Sequence, residues 1–479
     1  MMQLTAQLVA SLDAARVVGA LPPSVDTLET DSRAVRPGSL FVALRGAHVD
    51  AHGFVPAALA SGAAAVVVER ELAVDGPQII VPDTRAAISR LADVFFEHPS
   101  QALRIVGVTG TNGKTTTVHL IEAICAAAGS PCAIVGTLGA TFAGRSWPLG
   151  NTTPPALELH ALLATLRDAG AAAVAMEVSS HALALGRVDD VRFAVAAFTN
   201  LTRDHLDFHG SLAEYAGVKR RLLAMAPASA INVDDPVGAG FARDFPHALT
   251  YAIDAPARVR AQDVRLEADG SRFRVDGAAV ALPLRGRFNV YNALAAFAAA
   301  RALGIPDATI VRALSTAGAV PGRMERIAAL GIEAIVDYAH TPDALENVLR
   351  AARESTRGKL TVVFGCGGDR DAGKRAPMGE IAARLADRAI VTSDNPRSED
   401  PAVIARAVAG PGTAEIVLDR RTAIRRAIAE AAAGDTVVVA GKGHETYQIV
   451  GDRVLAFDDR EEVRAAFTAR ERAQERVIG

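Results

Sequence analysis

The stretch Gly107–Thr117, GVTGTNGKTTT, constrains the fold more than any other part of the chain. It continues the apolar run Arg104–Thr109, which predicts a buried strand, and a helical pattern follows it. A glycine-rich turn in this position of an α/β protein wraps backbone N–H groups around phosphate oxygens, and the helix adds its positive end. We therefore predict a nucleoside-triphosphate site, in which Lys114 reaches the terminal phosphates and the Thr115 hydroxyl binds Mg²⁺.

The spacing of the glycines leaves one alternative open. The strict pattern for such loops is not met, because Val108 stands five residues before Gly113 where a glycine is expected. The alternative is a glycine-rich turn with a structural role. A phosphate loop by itself does not name the reaction either, since switches, motors, kinases and ligases share it.

Length and composition limit the class of protein. A chain of 479 residues is too long for one core, and its length predicts roughly three domains. Half of the residues are hydrophobic, aromatic residues are few and the formal net charge is −3. These values fit compact α/β layers and provide no basic field for nucleic acid. Three cysteines without metal-ligand spacing indicate a reducing compartment.

The N-terminal residues 1–18 lack a basic region and carry Leu4, Leu8 and Leu12 at helical spacing. They predict an amphipathic helix and not a signal peptide. No uncharged apolar run reaches membrane-spanning length. We therefore expect a cytoplasmic protein without membrane insertion.

Three sections can be separated along the chain, at residues 1–101, 102–321 and 322–479. The first ends at His98–Ser100, where Pro99 stops a helix and predicts a linker. The later part of the second, residues 257–284, alternates apolar and polar residues and predicts an antiparallel sheet. In the third, apolar strands alternate with helices, which predicts a second parallel-sheet domain. The fold class is therefore α/β.

The predicted elements of the outer sections can be stated by residue. In the first section, two helices accompany short strands at Ser39–Leu44, Ala64–Val68 and Gln78–Val81. In the third, a closing hairpin and a solvated helix, Arg460 to Arg476, follow the parallel strands. The strands predicted there are Ala334–Val336, Leu360–Phe364, Ala389–Val391, Ile416–Leu418 and Thr436–Ala440, and the hairpin strands are Tyr447–Val450 and Arg453–Phe457.

Carboxylate, imidazole and hydroxyl groups follow two further apolar runs of the second section. Glu177 and His181 come at the end of one, and Phe193–Phe198 leads into the segment TNLTRDHLDFH. Such groups at neighbouring strand ends suit a metal held partly by protein and partly by phosphate. A single histidine at a strand end is more often structural, and Lys219 by itself is most simply a solvated helix lysine.

The loop Thr392–Asp400, TSDNPRSED, places one guanidinium among three carboxylates, and Pro396 stiffens it. Taken alone, this stretch favours a solvated turn, because Asp-Asn-Pro is ordinary turn chemistry. The alternative is a pocket for a ligand that carries both charges. The choice between the two depends on the rest of the chain.

Eight motifs occur in order over nearly the whole chain: TGTNGKTT, MEVSSH, TNLTRDHLDFHG, FNVYNALAA, DYAHTPDAL, GCGGDRDAGKR, DNPRSE and AGKGHE. Together they resemble the Mur ligase family, in particular the branch that adds the third residue of the peptidoglycan stem peptide. The resemblance implies three domains: one for a uridine nucleotide, a central P-loop ATPase-type parallel sheet, and a C-terminal Rossmann-like parallel sheet that binds the incoming amino acid. Eight ordered motifs are far more specific than any one of them.

The resemblance implies a role for each matched residue. Thr115, Glu177 and His205 match the Mg²⁺-site residues, and Lys219 matches a lysine that the family carbamylates to hold a second Mg²⁺. Such an adduct needs a neutral amine, so burial must lower the pKa of Lys219. Lys114, Lys219 and His205 are the implied catalytic residues. The implied ATP-binding residues are Gly110, Thr111, Asn112, Gly113, Lys114, Thr115, Thr116, Asn289, Arg323, Asp337 and His340.

The uridine-nucleotide substrate is implied to bind mostly through the first section and the start of the second. Two positions depart from the family pattern: Thr30 stands where Leu is frequent, and Leu185 where Gln is common. We expect some dipeptide or sugar contacts to be supplied differently there. The matched substrate residues are Ser32, Ala47, His48, Val49, Asn151, Thr152, Thr153, Ser179 and Arg187.

The loop TSDNPRSED is explained by the same resemblance, because the diaminopimelate-adding branch binds its amino acid there. The far end of meso-diaminopimelate carries a carboxylate and an ammonium, so Arg397 can bind the first in a fork while an acid binds the second. Lysine has no distal carboxylate and would leave Arg397 unpaired. The pocket interpretation is therefore preferred. The matched residues are Arg370, Asp394, Asn395, Pro396, Arg397, Gly441 and Glu445.

The implied activity is ATP-dependent amide formation in cytoplasmic peptidoglycan precursor synthesis. The substrates are UDP-N-acetylmuramoyl-L-alanyl-D-glutamate, meso-diaminopimelate and ATP, the metal is Mg²⁺, and the intermediate is an acyl phosphate. The alternatives are a lysine-adding member of the family and a ligase like folylpolyglutamate synthase. A nucleotide-gated binding protein would share the loop but need no second amino-acid pocket. We expect a monomer that binds no nucleic acid.

Overall fold

The structure is a computed structural model that describes residues 3–46, 49–412 and 414–478. Its chain divides into two compact units. Unit 1 comprises residues 1–107, 129–196 and 224–227, and unit 2 comprises residues 108–128, 197–223 and 228–479. The domain boundaries predicted after residues 101 and 321 stay predictions. Within the described part of the chain, no helix is long and apolar enough to cross a membrane.

The first hundred residues of unit 1 form a small α/β layer. Its elements are β1 Gln3–Leu4, α1 Thr5–Ala10, β2 Arg16–Val18, β3 Ser24–Val25, β4 Thr27–Glu29, β5 Ser39–Val42, α2 Val55–Ala60, β6 Ala65–Val68, β7 Gln78–Ile80 and α3 Thr84–Phe95. The sheet order is β2-β7-β6-β5-β4, with β4 to β7 parallel and β2 antiparallel. β5 and β6 are buried along their whole length, as apolar strands covered on both faces must be.

The strands predicted for this layer are confirmed, each one or two residues shorter than expected. The amphipathic helix predicted for residues 1–18 is wrong in extent, because α1 ends at Ala10 and Arg16–Val18 pairs with β7. Leu8 is fully buried and supplies the apolar face of the short helix, whereas Leu4 is exposed. The predicted linker contains a 3₁₀ turn, Pro99–Gln101, in which Pro99 and Ser100 are buried.

Residues 104–260 supply strands and helices to both units. They are β8 Arg104–Thr109, α4 Lys114–Ala127, β9 Cys132–Gly136, β10 Gly139–Phe142, β11 Arg145–Trp147, α5 Ala156–Asp168, β12 Ala173–Glu177, α6 Ser180–Ala184, β13 Phe193–Phe198, α7 Leu206–His209, α8 Leu212–Ala224, β14 Ala228–Asn232, α9 Pro236–Asp244, β15 Leu249–Ala252 and β16 Val259–Arg260. In unit 1 the strand order is β11-β10-β9-β12, with β9 and β12 parallel. In unit 2 it is β13-β14-β15-β16, parallel from β14 to β16.

An antiparallel sheet and two helices complete the central part of unit 2. They are β17 Gln262–Glu267, β18 Gly270–Val275, β19 Ala278–Leu282, α10 Arg287–Ala302 and α11 Asp307–Ser315. The sheet order β17-β18-β19 confirms the antiparallel sheet predicted for this region. α10 is buried along most of its length and carries a run of alanines that allows close packing.

The C-terminal part of unit 2 is a second parallel sheet with helices on both faces. Its elements are β20 Glu325–Ala329, β21 Ile332–Asp337, α12 Pro342–Ser355, β22 Leu360–Phe364, α13 Arg375–Leu385, β23 Arg388–Val391, α14 Pro401–Ala409, β24 Glu415–Ile416, α15 Arg420–Glu430, β25 Thr436–Ala440, β26 Tyr447–Val450, β27 Arg453–Ala456 and α16 Asp459–Ile478. The order is β20-β21-β25-β22-β23-β24, parallel except for β20.

The predicted C-terminal strands, the hairpin and the presence of the final helix are confirmed, with small changes of boundary. The expectation that the final helix is solvated is wrong for one face, because Val463, Ala466 and Phe467 are buried against the sheet. One strand begins at Glu415 and ends at Ile416, earlier than the predicted Ile416–Leu418. Two apolar clusters, one on each face of the sheet, cover β21, β22 and β25. The α/β class is therefore confirmed. In such folds ligands bind at the loops that follow the carboxyl ends of the parallel strands, so we expect the site there.

Candidate active site

The glycine-rich loop joins β8 to α4 in unit 2. Gly110 and Gly113 have φ angles of 150° and 85°, and a Cβ at either position would collide with Thr199 or Asn292. Only glycine suits both positions, because the backbone must pass these neighbours closely. Among the described residues, no side chain caps the N-terminus of α4. The first N–H groups of a 14-residue helix are therefore open to an anion.

Asn200 anchors this loop from the segment that follows β13. Its carbonyl accepts the Thr111 N–H at 2.9 Å, and its Oδ1 accepts the Asn112 N–H at 2.9 Å. The Asn112 side chain donates to Asp343 Oδ2 at 2.8 Å, at the start of α12. Both parallel sheets of unit 2 therefore contribute to holding the loop in shape.

Three basic side chains of unit 2 donate to neutral oxygens of the loop and of the helix that follows it. Lys114 Nζ donates to the carbonyls of Gly110 and Thr111, at 2.9 and 2.8 Å. Arg323 Nη2 donates to Thr115 Oγ1 at 2.9 Å, and Thr115 and the neighbouring Thr116 are buried in the first turn of α4. The site is thus electropositive, and phosphate oxygens can replace carbonyl oxygens as acceptors.

Lys219 is the third basic side chain, and it is buried, whereas the sequence by itself predicted a solvated helix lysine. It is 1% exposed, and its Nζ donates to the Gly110 carbonyl at 2.8 Å. Its Nζ also lies 4.5 Å from the centre of the Tyr215 ring. Burial, with a smaller contribution from Lys114, holds the pKa of Lys219 well below its usual range. A neutral amine, which carbamylation requires, is therefore accessible.

His205, Asp204 and His340 form a cluster beside the loop. Asp204 Oδ2 lies 3.3 Å from His205 Nε2 and 3.9 Å from His340 Nε2. Burial lowers the pKa of His205 to about 4, although Asp204 opposes this shift. Burial acts to raise the pKa of Asp204, but His340, His205 and Lys374 together bring it below its ordinary value. His205 therefore presents a neutral imidazole, the form that binds metals.

The residues matched to ATP outside the loop lie on α10 and beside β21. Asn289 is 4% exposed; its Nδ2 donates to the Arg285 carbonyl at 2.8 Å and its Oδ1 accepts from Asn292 at 2.9 Å. The carboxylate of Asp337 accepts the N–H groups of Met324 and Ala339, and burial raises its pKa. As far as the described residues go, one amide N–H and one lone pair of Asn289 remain without a partner.

Asp337 lies close to two further matched side chains of unit 2. His340 Nδ1 donates to the Tyr338 carbonyl at 2.8 Å, which leaves Nε2 facing Asp204. The Arg323 guanidinium lies 4.5 Å from the centre of the Tyr338 ring. Arg323, Asp337 and His340 therefore come together with Thr115 and the loop.

Glu177 belongs to unit 1, at the end of β12, and is 1% exposed. Its Oε1 accepts the Thr137 N–H at 2.9 Å, and its Oε2 accepts the Thr137 hydroxyl at 3.1 Å. Gly136 packs so closely against this carboxylate that a Cβ there would collide with it. Each carboxylate oxygen has two lone pairs, so the group keeps acceptor capacity for a cation.

Four of the matched substrate residues surround Glu177 in unit 1. The Thr153 hydroxyl donates to the Glu177 carbonyl at 2.9 Å and accepts the Ser179 N–H at 3.1 Å. Arg187 Nη1 donates to the Thr153 carbonyl at 2.8 Å, and the Thr152 hydroxyl lies 3.2 Å from that of Thr137. The structure therefore joins these matched residues in one hydrogen-bonded cluster.

The remaining substrate matches lie in loops of unit 1. Ser32 is half-buried in the turn after β4, Val49 is exposed after β5, and Asn151 is exposed before α5. Ala47 and His48 fall outside the described residues. The roles of all nine positions stay predictions.

The amino-acid loop, defined as residues 392–400, follows β23. Asp394 is 9% exposed, and its Oδ1 accepts the Asn395 N–H at 2.8 Å. Its buried Oδ2 has no hydrogen-bond partner in the part of the chain that the structure describes. A Cβ at Gly441, where φ is 119°, would come within 2.6 Å of this oxygen. A buried carboxylate oxygen without a partner beside a glycine fits a ligand that brings a hydrogen-bond donor.

Arg397 supplies the cation of the amino-acid loop. It has a left-handed backbone, with φ of 52°, and its Nη1 donates to the Gly368 carbonyl at 2.7 Å. Pro396 before it is buried, and Arg370 across from it is exposed, with Nη1 donating to the Asp369 carbonyl at 3.2 Å. Within the described part of the chain, both guanidiniums donate to carbonyl oxygens, which a ligand carboxylate can outcompete.

The two other carboxylates of the amino-acid loop have structural partners. Glu399 forms a two-pronged ion pair with Arg375, with both distances 2.8 Å, and accepts the Asp369 N–H at 2.7 Å. Asp400 caps α14 by accepting the Ala402 N–H at 2.8 Å. Of the three acids in TSDNPRSED, Asp394 is therefore the one that faces a potential ligand.

Metal-binding capacity rests on a mixed set of donors. In residues 3–46, 49–412 and 414–478, no three His, Cys, Asp or Glu side chains are grouped to hold a metal ion. The predicted set uses a hydroxyl, a carboxylate, a neutral imidazole and a lysine instead. The lowered pKa values of His205 and Lys219 fit this chemistry, because an imidazole binds metal in its neutral form and a lysine adds CO₂ through its neutral amine.

Some residues of the site were missed from the sequence. Tyr215, whose hydroxyl lies 3.3 Å from Thr111 Oγ1, is 1% exposed and also contacts Lys219 through its ring. Lys442 is fully buried between matched residues Gly441 and Glu445. A lysine two residues after an apolar strand was a usable signal, whereas an aromatic residue in a helix resembles ordinary core.

Family models match three segments of the chain. The model described as "Mur ligase family, catalytic domain" matches residues 24–96, and that described as "Mur ligase middle domain" matches residues 108–300. The model described as "Mur ligase, glutamate ligase domain" matches residues 322–443. Together the matches cover most of the described chain in the order that the motifs predict.

Similar proteins of nearly equal length bear out the same relationship. Two proteins named UDP-N-acetylmuramoyl-L-alanyl-D-glutamate–2,6-diaminopimelate ligase are 46% and 47% identical to the chain, from Geobacillus thermodenitrificans and Geobacillus kaustophilus. Each alignment covers 94% of this chain and 96% of the relative. A solved structure of a protein with the same name has a TM-score of 0.69 and 36% identity, and the match covers 95% of this chain and 97% of that one.

Proposed function

Because the chain belongs to the Mur ligase family, we propose that it joins meso-diaminopimelate to UDP-N-acetylmuramoyl-L-alanyl-D-glutamate in a reaction driven by ATP. Membership of this family makes the chain an ATP-dependent ligase. The choice of these two substrates follows the names of its relatives and is supported by the amino-acid loop. The proposal places the reaction in cytoplasmic peptidoglycan precursor synthesis.

The observation that carries the choice of amino acid is the charge pattern of the amino-acid loop. Arg397 donates to neutral carbonyl oxygens, while Asp394 keeps a buried oxygen without a partner among the described residues. A ligand end with a carboxylate and an ammonium satisfies both groups at once. Lysine would supply the ammonium alone, and glutamate has no distal ammonium.

The first chemical step forms an acyl phosphate. The D-glutamyl side-chain carboxylate attacks the γ-phosphorus of ATP, the bond to the β,γ-bridging oxygen breaks, and ADP leaves. Lys114 is placed to exchange the carbonyls of Gly110 and Thr111 for phosphate oxygens and to neutralise charge on the phosphoryl group. The N–H groups at the start of α4 bind the remaining phosphate oxygens.

The second step forms the amide. The neutral amine of meso-diaminopimelate attacks the acyl carbon, a tetrahedral intermediate forms, and its collapse releases phosphate while the amine loses a proton. The amino-acid loop would hold the distal end of the ligand, which fixes the attacking amine at the other end. Positioning of this kind is the main contribution expected of a protein in acyl transfer between bound substrates.

Mg²⁺ is part of the proposal, and its predicted ligands are Thr115, Glu177, His205 and Lys219 as a carbamate. When bound, the metal neutralises phosphate charge and polarises the phosphoryl group. The chain's own contribution is a buried lysine of lowered pKa, able to add CO₂ through its neutral nitrogen with loss of a proton. Its Nζ donates to the Gly110 carbonyl, so the adduct would form beside the phosphate loop.

The test is the dependence of phosphate release on each substrate. With ATP, Mg²⁺ and UDP-N-acetylmuramoyl-L-alanyl-D-glutamate present, we expect release to stay near background until meso-diaminopimelate is added. L-Lysine and L-glutamate in its place distinguish the lysine-adding member and the folylpolyglutamate synthase-like ligase. Equal rates with lysine would leave the ligase class standing and overturn the choice of amino acid. Release that needs neither amino acid nor nucleotide substrate would overturn the function.

A further inference from the structure

Lys442 contacts the amino-acid loop through Asn395, and the proposed function gives it no role. It is the second residue after β25 and is completely buried. The glycines on either side, Gly441 and Gly443, have φ angles of 119° and 54°, and a Cβ on Gly443 would come within 2.8 Å of Tyr338. The backbone at Lys442 is therefore fixed, and its side chain has little freedom to leave the pocket wall.

The ammonium of Lys442 forms a closed set of hydrogen bonds with Asn395 and Glu445. Lys442 Nζ donates to Glu445 Oε2 at 2.9 Å and to Asn395 Oδ1 at 3.1 Å. Asn395 Nδ2 donates to the same Glu445 oxygen at 3.0 Å. Asn395 Oδ1 also accepts the Ile449 N–H at 2.9 Å, so most of its side-chain capacity is used within the protein.

The two bonds to Glu445 share one oxygen, so Oε1 remains for a ligand as far as the described residues go. The carboxylate is therefore held in one orientation from behind. Together, Asp394, Glu445 and Lys442 leave one net negative charge at this end of the pocket. One net negative charge matches a single ammonium on the ligand.

We propose that Lys442 is a positioning residue, which fixes Glu445 for the distal ammonium of the incoming amino acid. Asn395 then supports Glu445 as well and is not a primary side-chain contact of the ligand. This inference rests on the proposed function, because the distal ammonium belongs to the proposed substrate. It adds to that function the claim that Lys442 allows the site to distinguish an ammonium from hydrogen at the distal carbon of the ligand.

Stability of the fold alone does not explain a buried ammonium at this place. Replacing a buried ion pair with apolar groups of similar size is often neutral or stabilising. The cation is useful if the carboxylate it holds must stay charged and oriented. Without Lys442, the Asn395 amide would be the remaining donor to Glu445 Oε2 among the described residues, and the carboxylate would be free to turn away from the ligand.

The test compares meso-diaminopimelate with 2-aminopimelate, in which the distal ammonium is replaced by hydrogen. We expect the unmodified protein to prefer meso-diaminopimelate in kcat/KM by about 10²-fold or more, because a polar site rejects an analogue that leaves it unpaired. Lys442→Met should reduce this ratio by about 10-fold or more, through the value for meso-diaminopimelate. The value for 2-aminopimelate should change by less than about threefold.

Lys359→Met is the matched control, because Lys359 is exposed in the same unit. It should leave both kcat/KM values unchanged. A merely structural role of Lys442 would lower both values equally and keep the ratio, which overturns the inference. If Lys442→Met does not fold, Lys442→Gln carries the same test with the same criterion.

The outcome also separates this inference from the function on which it rests. An unmodified protein that does not use meso-diaminopimelate overturns both. An unmodified protein that prefers meso-diaminopimelate, with the ratio preserved in the Lys442 variant, overturns the inference and leaves the function standing. KM for ATP should be unchanged in the Lys442 variant, since its bonds reach Asn395 and Glu445 and not the phosphate loop.

Discussion

The phosphate loop and the amino-acid loop of unit 2 recognise charge by different means. In the phosphate loop, Lys114 and Lys219 both donate to the Gly110 carbonyl, and the backbone follows two glycine positions with positive φ. In the amino-acid loop, recognition rests on side chains: Arg397 on one side, and Asp394 with Glu445 on the other. The first therefore suits any polyphosphate, while the second suits one arrangement of opposite charges.

The difference has a consequence for specificity. A site built from backbone N–H groups tolerates change in what surrounds it, provided that the glycines stay. A site built from a few oriented side chains loses discrimination when one of them changes. We therefore expect variants of the phosphate loop to reduce turnover with every amino acid, and variants of the amino-acid loop to change which amino acid is used.

Lys114→Ala should produce the largest loss. Its Nζ is the loop's own cation, so removal takes a preorganised charge from the transferring phosphoryl group. We expect kcat to fall by about 10³-fold or more with all amino acids alike. Phosphate release measures the rate, and circular dichroism melting shows whether the fold is kept. Lys359→Ala, at an exposed lysine of the same unit, is the control.

A near-normal rate for Lys114→Ala would contradict the assignment of this loop as the catalytic phosphate site. The phosphate loop is expected to act before the amino acid is used. A loss confined to one amino acid would therefore contradict the separation between a phosphate loop that sets turnover and an amino-acid loop that sets specificity.

Lys219→Ala should cost somewhat less, on the order of 10²–10³ in kcat. The lysine is 1% exposed beside the Gly110 carbonyl, and its low pKa makes the neutral amine available for carbamylation. Added bicarbonate does not restore a missing amine, whereas short carboxylates can fill the space of a carbamate. Partial rescue by acetate or propionate would support the carbamate, and full activity without rescue would refute it. Mass measurement of the intact unmodified protein tests the adduct independently of rate.

Arg397→Ala should shift the amino-acid specificity rather than the nucleotide step. Its guanidinium is half-buried and donates to the Gly368 carbonyl, so we expect a loss of about 2–3 kcal/mol in kcat/KM for meso-diaminopimelate. KM for ATP and for the uridine-nucleotide substrate should stay constant. Arg406→Ala, at an exposed arginine on α14, is the control.

Comparable kcat/KM values for lysine and meso-diaminopimelate in the unmodified protein would contradict the specificity. A rise in KM for ATP in the Arg397 variant would show that the two loops do not act separately.

The fold of the parallel sheets could be predicted from the sequence because the apolar runs are continuous. Arg104–Thr109, Leu360–Phe364 and Thr436–Ala440 have in the structure the bounds that the pattern predicts. The N-terminal helix was overestimated because Leu12 continues a helical spacing past Ala10, where pairing with β7 takes over. Tertiary pairing overrode local periodicity there.

The candidate site was predictable where a residue type is rare in its context, as at Lys114 and Arg397. The burial of Lys219 could not be deduced from helical spacing, and it came from the family resemblance alone. Lys442 and Tyr215 were missed, because their importance depends on contacts with residues far away in the chain. Which acid of TSDNPRSED faces a ligand also needed the structure, since Arg375 and the α14 N-terminus occupy the other two.

Tyr215→Phe should give the smallest effect, and it tests whether the Tyr215 hydroxyl holds Thr111 in the phosphate loop. The ring stays beside Lys219, while the bond from the Tyr215 hydroxyl to Thr111 Oγ1, 3.3 Å long, is lost. A single neutral hydrogen bond contributes about 0.5–1.5 kcal/mol, so we expect KM for ATP to rise by roughly 2- to 10-fold with little change in kcat. Tyr215→Leu removes the ring as well, and it should lower kcat if the ring positions Lys219.

The double variant Tyr215→Phe with Thr111→Val tests the bond directly. Its effect on KM for ATP should be smaller than the sum of the two single effects, because both changes remove the same bond. Strict additivity would show that the hydroxyl acts on the loop by another route.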